Sequence, residues 1–314
     1  MTDDARPILA VGGENLIDHV TRDGEVTAKP GGSPFNVAMG IGRQGQMIRY
    51  LSPISTDTWG DQLAAVLAGS GVALAGGRLD RPTTMAMVTI THGTPSYRFK
   101  REGTAERAVT LEDLVPSLEG LTALHTGSMA LTQGADAEVW EGAMAKAFAA
   151  GCFVSLDPNV RMSVIDDLNA YRERILRCAA TAHLIKLSDE DLAELFPGVP
   201  EEAAVARLSL SATALILLTR GAEGVTAFRP SGRVDAPPVP VTDLVDTVGA
   251  GDTYMATVLS TLAAQKRLSA AALEAMTDAE LLALMHRAGT AAAINCAREG
   301  CNPPTLEELD AALR

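Results

Sequence analysis

The chain has 314 residues, 47% of them hydrophobic and 21% charged, enough for a sizeable core and unlike a disordered or collagen-like polymer. At roughly 150 residues per domain, that length admits two domains or one large α/β domain carrying an elaboration. The net charge of −13 argues against non-specific binding to nucleic acid or to anionic membranes.

In chain order, ILAVGG (8–13) is a short apolar run ending in glycines, which predicts a strand buried on both faces of a parallel sheet. LIDHVTRDGEVTAK (16–29) alternates around Asp23-Gly24 and predicts two half-exposed antiparallel strands. From Ser33 to Gln44, the small and apolar residues Val37, Ala38 and Ile41, with Pro34 near the start, predict a helix entered from a glycine pair. IRYLSPI (48–54), a helix opening near Asp57-Thr58, and VALAGGRL (72–79) follow. A second alternating pair, Thr84 to Thr91 and Ser96 to Arg101, turns at His92-Gly93-Thr94-Pro95. ALHTGSM (123–129), CFVSLDP (152–158), HLIKLS (183–188) and ALILLTRG (214–221) read as buried strands separated by amphipathic helices, and the chain after Gly249 reads as mostly helix.

Alternating β and α elements predict an α/β fold of three layers, α/β/α, around a central, mostly parallel sheet. The two alternating pairs, at about 16–30 and 84–101, form a small inserted β-lid on this reading. With no fixed-period repeat and no long linker, residues 1–314 are expected to form a single domain. No apolar run approaches the eighteen or so residues of a membrane span, and the acidic start MTDDARPILAVGG does not suit an export signal. A cytoplasmic location is therefore expected. Cys152, Cys178, Cys296 and Cys301 show no zinc-ligand spacing and read as reduced thiols, mostly buried as small hydrophobes.

Several nucleotide and catalytic signatures are missing. No Gly-Lys dipeptide exists, which removes a P-loop, and Gly12-Gly13-Glu14-Asn15 lacks the GxGxxG spacing of a dinucleotide site. That absence also disfavours a nicotinamide-dependent dehydrogenase. Neither a GxSxG elbow nor an HExxH helix occurs.

Two segments carry chemistry. In DTVGAGDT (246–253), Gly249, Ala250 and Gly251 free backbone N–H groups at a helix start, an anion hole. Asp252, directly after it, fits a base that takes a proton from a hydroxyl attacking the anion; equally, it fits a helix cap. In GGSPFNVA (31–38), the glycines permit close approach of a ligand and Asn36 offers one acceptor and two donors to a polyol. On its own this second segment reads equally as a tight turn into a helix.

Together, GGSPFNVA and DTVGAGDT resemble the two signature motifs of the ribokinase-like (PfkB-type) carbohydrate kinases, and the element order along nearly the whole chain is similar. The resemblance implies the ribokinase-like fold and transfer of the ATP γ-phosphoryl group, with Mg2+, to a sugar hydroxyl. It implies Asp252 as the base, Gly249, Ala250 and Gly251 as the anion hole, and Asp18, Gly32 and Asn36 as sugar contacts. For the nucleotide it implies Thr219, Gly221 and Gly224 of LLTRGAEG, together with Asn295 at the adenine. Lys186 leads into Ser188-Asp189-Glu190-Asp191, where the family often has N-x-x-E. Ser188 and Asp191 fall on the motif positions, and Asp191 is the candidate that reaches Mg2+ through water; a helix N-cap followed by first-turn acids is the other reading. A monovalent cation such as K+ near Asp246 is a further implication, as is a homodimer formed through the lid strands.

The acceptor follows from finer resemblances. DPNVR (157–161), with Asn159 and Arg161, and SYRFKREGTAE (96–106) resemble fructokinases and 2-keto-3-deoxygluconate kinases. Strand alternation puts Phe99 and Arg101 on one face, with Arg101 expected to point inward. GENLID and CAREGCNPPTLEEL resemble bacterial fructokinases, so fructose ranks first. The runner-up is 2-keto-3-deoxygluconate, whose carboxylate would pair with Arg101 and Arg161. An alternative of another class is a non-catalytic sugar or nucleotide sensor, which has no need of Asp252.

Overall fold

The computed structural model describes residues 6–22, 25–91, 94–210 and 212–314. The expected turn residues Asp23-Gly24 and His92-Gly93 lie outside the described residues. In chain order the strands are β1 (Ile8–Val11), β2 (Leu16–Arg22), β3 (Glu25–Gly31), β4 (Met47–Tyr50), β5 (Ile54–Ser55), β6 (Ala73–Leu74), β7 (Arg78–Leu79) and β8 (Thr84–Thr91). They continue with β9 (Thr94–Lys100), β10 (Ala123–Gly127), β11 (Phe153–Asp157), β12 (Leu184–Ser188), β13 (Leu215–Thr219), β14 (Val225–Arg229) and β15 (Gly232–Ala236).

The large sheet runs β15-β14-β13-β12-β11-β10-β1-β4-β6, parallel from β13 to β6, with β14 and β15 antiparallel at one edge. Buried apolar runs make these strands. Because successive side chains point to opposite faces, Leu9 and Val11 of β1 enter one apolar cluster and Ala10 enters the other. The first cluster packs the helices Ser33–Arg43, Ala250–Ala264 and Asp278–Cys296; the second packs Ala135–Ala149 and Leu168–Ala179. This is the expected ribokinase-like α/β/α architecture. The β14–β15 hairpin was not foreseen: VTAFRPSGRVDA (225–236) turns at Pro230-Ser231-Gly232, a turn signal between two alternating runs.

The two alternating pairs form one four-stranded sheet, β3-β2-β8-β9, in which β2 and β8 run parallel. Strand order in the large sheet reverses at β1, which lies between β10 and β4. In open α/β sheets a crevice opens at such a switch point, beyond the carboxyl ends of the strands. Among the described residues no helix is long and apolar enough to cross a membrane.

Candidate active site

Beyond those strand ends lies a cleft of about 860 Å3, walled by the β2–β3 and β8–β9 sheet, by the loops after β10 to β13 and by the start of helix Ala250–Ala264. Asp18, Gly32 and Asn36 line it from the lid side, Asn159 and Arg161 from the loop after β11, Lys186 and Ser188 from β12, Asp191 from the helix that follows it, and Thr219 and Gly221 from the end of β13 and the turn beyond. Gly249, Ala250, Gly251 and Asp252 close its floor.

Gly249 is the N-cap of helix Ala250–Ala264 and has φ +75°, a left-handed conformation that favours glycine. It has a second reason to be glycine, because a Cβ there would run into the Cys301 side chain. The Ala250 N–H turns back to the Thr247 carbonyl at 3.2 Å. Gly251 and Asp252 thus carry the first-turn N–H groups that a helix cannot satisfy internally. A Cβ on Gly251 would meet Lys186 Nζ at 2.7 Å, so the ammonium stands directly over the anion hole. Lys186 Nζ donates to Asp157 Oδ2 at 2.9 Å, and both side chains are buried. Burial alone would lower the Lys186 pKa, but the carboxylates of Asp157, Asp191 and Asp252 lift it above its ordinary value and keep the amine charged.

The Asp252 carboxylate is 8% exposed. Its Oδ1 accepts from the Ser33 hydroxyl at 2.6 Å and its Oδ2 from Asn36 Nδ2 at 2.8 Å. The two motifs therefore meet through their side chains, and Asn36 holds Asp252 while its own buried Oδ1 has no protein partner. Gly32, at φ +109°, is packed so closely on the Glu14 carbonyl that a Cβ would not fit. Asp18 is half-buried above this floor. Burial pushes its carboxyl up to about 6, with the Arg161 charge opposing and Asp252 reinforcing. Asn159 holds φ +38°, a strained conformation for a non-glycine residue at the end of a strand.

Four expected site residues do not line the cleft. Arg101, the residue after β9, points inward on the side of Phe99, while Arg98 and Lys100 are exposed, and it is ion-paired with Glu106 at 2.9 Å and Asp136 at 3.2 Å. It is a buried brace, whereas Phe99 lines the cleft. Asn295 is fully buried, donating to the Val248 carbonyl at 2.8 Å and accepting from Asn302 N–H at 2.7 Å; it braces the loop before the anion hole and does not reach the cleft. Gly224, at φ +98°, is pressed against the Ala236 carbonyl. Asp246 accepts from the N–H groups of Val248 and Gly300 at 3.0 and 2.9 Å and orders the same loop.

Asp191 has both oxygens engaged, by the N–H groups of Val160 at 2.7 Å and Ser188 at 2.9 Å, and Ser188 Oγ accepts in return from the Asp191 N–H. This is a capping box on helix Asp189–Leu195. Sequence reasoning missed Glu14 and Ser33, both inside the motif segments already quoted. Glu14 is buried and lines the cleft; its two oxygens accept from Ser33 N–H at 3.1 Å and Ala130 N–H at 3.3 Å. Burial pushes its carboxyl up to about 7 against the pull of Arg101.

A lid over a switch-point cleft, a carboxylate beside a helix-start anion hole and a buried cation define a phosphoryl-transfer enzyme of the α/β class. A family model, "pfkB family carbohydrate kinase", matches residues 11–308, and the chain belongs to that family. It is 36% identical to a fructokinase of Rhizobium leguminosarum bv. trifolii over 80% of this chain and 78% of that protein. It is 33% identical to a fructokinase of Klebsiella pneumoniae, over 77% of this chain and 80% of that one. The solved fructokinase of Xylella fastidiosa with bound ATP superposes with a TM-score of 0.91 at 26% identity, covering 98% of each chain.

Proposed function

We propose that this protein is an ATP-dependent kinase of a small neutral sugar, with fructose as the acceptor. The observation that carries the reading is the Asp252 carboxylate, clamped by Ser33 and Asn36 beside the Gly249–Gly251 turn. The similarity to fructokinases, one of them solved with ATP, supports the same donor and acceptor here.

The lid side of the cleft also favours a neutral polyol. A carboxylate only accepts, and the hydrogens of Ser33 Oγ and of one Asn36 N–H are turned to Asp252. What remains toward a ligand is mostly acceptors: Asp18, Asp252 and Asn36 Oδ1. Sugar hydroxyls can donate to all of them. The acidic runner-up, 2-keto-3-deoxygluconate, would need both Arg101 and Arg161, and Arg101 is already spent on Glu106 and Asp136, which leaves Arg161 alone.

In the reaction, Asp252 takes the proton of a primary hydroxyl as that oxygen bonds to the γ-phosphorus. The bond from the γ-phosphorus to the β,γ-bridging oxygen breaks, and ADP leaves with that electron pair. The N–H groups of Gly251 and Asp252 and the Lys186 ammonium face the charge on the transferring group. When bound, Mg2+ would neutralise charge on the phosphates; Asp191, which lines the cleft, would meet its hydration shell, and Thr219 and Gly221, which also line it, would contact the nucleotide. Asp246, whose two oxygens already order the loop before the anion hole, is the residue that would hold a K+ ion. The lid closes over the sugar and keeps water from the γ-phosphate. β3 and β9, the outer strands of the lid sheet, keep edges that a second copy would cover, giving a homodimer.

A coupled ATP-consumption assay with fructose, 2-keto-3-deoxygluconate, ribose and adenosine tests the proposal. Fructose should give the highest kcat/KM; a tenfold preference for another acceptor would reassign the substrate, and no turnover with any would favour a sensor.

A further inference from the structure

We propose that Ser33 is a positioning residue for the base: its hydroxyl, set in place through Glu14, fixes the orientation of the Asp252 carboxylate. The inference rests on the reading of Asp252 as the base.

A serine beside a helix start ordinarily caps its own helix. Here the N-cap is Gly32, no side chain caps helix Ser33–Arg43, and the Ser33 hydroxyl instead crosses to a residue 219 positions away in sequence. At 2.6 Å the contact is in the range of a charge-assisted O–H···O− bond. A hydroxyl has a single proton and an ionised carboxylate only accepts, so that proton lies toward Asp252. Ser33 holds Oδ1 and Asn36 holds Oδ2, so turning the carboxylate about its Cβ–Cγ bond breaks both hydrogen bonds. The free lone pairs stay aimed at the space where the acceptor hydroxyl sits.

The other titratable groups that face Asp252 do not orient it. Asp18 on β2 and Asp157 on β11 repel it, the Cys301 thiol is a weak partner, and the Lys186 ammonium on β12 directs its hydrogen bond to Asp157. Orientation therefore falls to two neutral donors. Ser33 is itself held: its N–H donates to Glu14 Oε1 at 3.1 Å while Glu14 Oε2 takes the Ala130 N–H at 3.3 Å, tying the glycine turn to the loop after β10. Proton transfer rewards such fixed geometry, because a misplaced reacting group loses rate without losing substrate binding.

The test is a double-mutant cycle of Ser33→Ala and Asp252→Asn, with Ser33→Thr as the conservative variant. Ser33→Ala should lower kcat about 10- to 100-fold with the KM values for fructose and ATP within about twofold of wild type, the split expected of an interaction used in the transition state. Ser33→Thr, which keeps the hydroxyl, should retain kcat within about threefold. In the Asp252→Asn background, Ser33→Ala should change the residual turnover less than about twofold, since its partner is gone. Equal losses in both backgrounds would overturn the proposal, as would an unchanged kcat in Ser33→Ala. If the added methyl unfolds Ser33→Thr, the cycle still decides. A near-normal Asp252→Asn enzyme would sink the base assignment itself, a result distinct from failure of Ser33 alone.

Discussion

On the lid side of the cleft Asp18, Glu14, Asn36 and the Asp252 carboxylate present oxygen atoms; across the floor, the N–H groups of Gly251 and Asp252 and the Lys186 ammonium present donors. The first set suits a ligand rich in hydroxyl donors, and the second suits an anion. The contrast explains how a chain of net charge −13 can handle a nucleotide triphosphate. Salt confines the field of surface charges to about 8–10 Å, so what matters is the handful of groups at each end of the cleft. The acidic half lies against the donor half at Asp252, which belongs to both: its side chain faces the sugar and its N–H belongs to the helix start.

The largest effect should come from breaking that junction. Asp252→Asn keeps the shape and the anion hole, so ATP binding should persist by fluorescence or calorimetry while kcat falls about 10²- to 10⁴-fold, the range of general-base catalysis. Normal turnover would mean that the two halves work without a shared base.

The next test separates charge that binds from charge that holds the fold. Removing one partner of a buried ion pair strands the other, at a cost of about 3–5 kcal/mol. Lys186→Met should lose about that much stability in urea, because Asp157 is left buried without its ammonium. Lys186→Met with Asp157→Asn should recover most of the stability and none of the turnover. Arg101→Ala should also destabilise by about 3–5 kcal/mol, through Glu106 and Asp136.

A smaller effect concerns the pH response of the acidic half. The Glu14 carboxyl rises from an ordinary 4.5 to about 7 on burial, so the folded state holds a proton that the unfolded chain releases. Stability from this group is fully present below about pH 4.5 and is lost as pH rises through 7. Glu14→Gln has no such titration. A tenfold difference in proton affinity between the folded and unfolded chain is worth about 1.4 kcal/mol. The stability of wild type relative to Glu14→Gln should therefore fall by on the order of 3 kcal/mol between about pH 4.5 and 8. Parallel urea midpoints at both pH values would show that Glu14 is not the buried acid described.

Much of this contrast was legible in the sequence, and what was missed has local causes. GGSPFNVA and DTVGAGDT announced both halves because glycines, an Asn and an Asp in fixed order have few other uses in combination. The sequence pattern could not say that Asn36 and Ser33 would spend donors on Asp252, since that contact joins residues more than 200 positions apart. Alternation gave the direction of Arg101 correctly, inward with Phe99 while Arg98 and Lys100 are exposed, but it could not show that Glu106 and Asp136, from segments farther along the chain, would take that guanidinium instead of a ligand. Asn295 was misplaced for another reason: a polar residue on a helix can serve a neighbouring loop as readily as a ligand, and its two partners, Val248 and Asn302, come from segments on either side of that helix.

Arg161 offers the finest test, because this cation on the loop after β11 acts on Asp18 of the lid half. It is exposed, donates within the protein to the Val160 carbonyl at 3.3 Å and lowers the Asp18 pKa by its charge. Removing an exposed charge costs little stability, so Arg161→Ala should unfold within about 0.5 kcal/mol of wild type, in contrast to Arg101→Ala. Its attraction for Asp18 is screened, of order 0.2–1 kcal/mol, which corresponds to a rise of about 1.5- to 5-fold in the KM for fructose. The sign of the pH dependence is fixed by Asp18, whose carboxyl lies at about 6 with Arg161 present. Without that cation Asp18 takes up its proton at higher pH, so the KM of Arg161→Ala should begin to climb at a higher pH than that of wild type as the solution is acidified. A constant ratio of the two KM values from pH 8 down to pH 5 would show that Arg161 does not act through Asp18. It would then have to touch the acceptor directly, moving a donor into the half of the cleft that is otherwise built of acceptors.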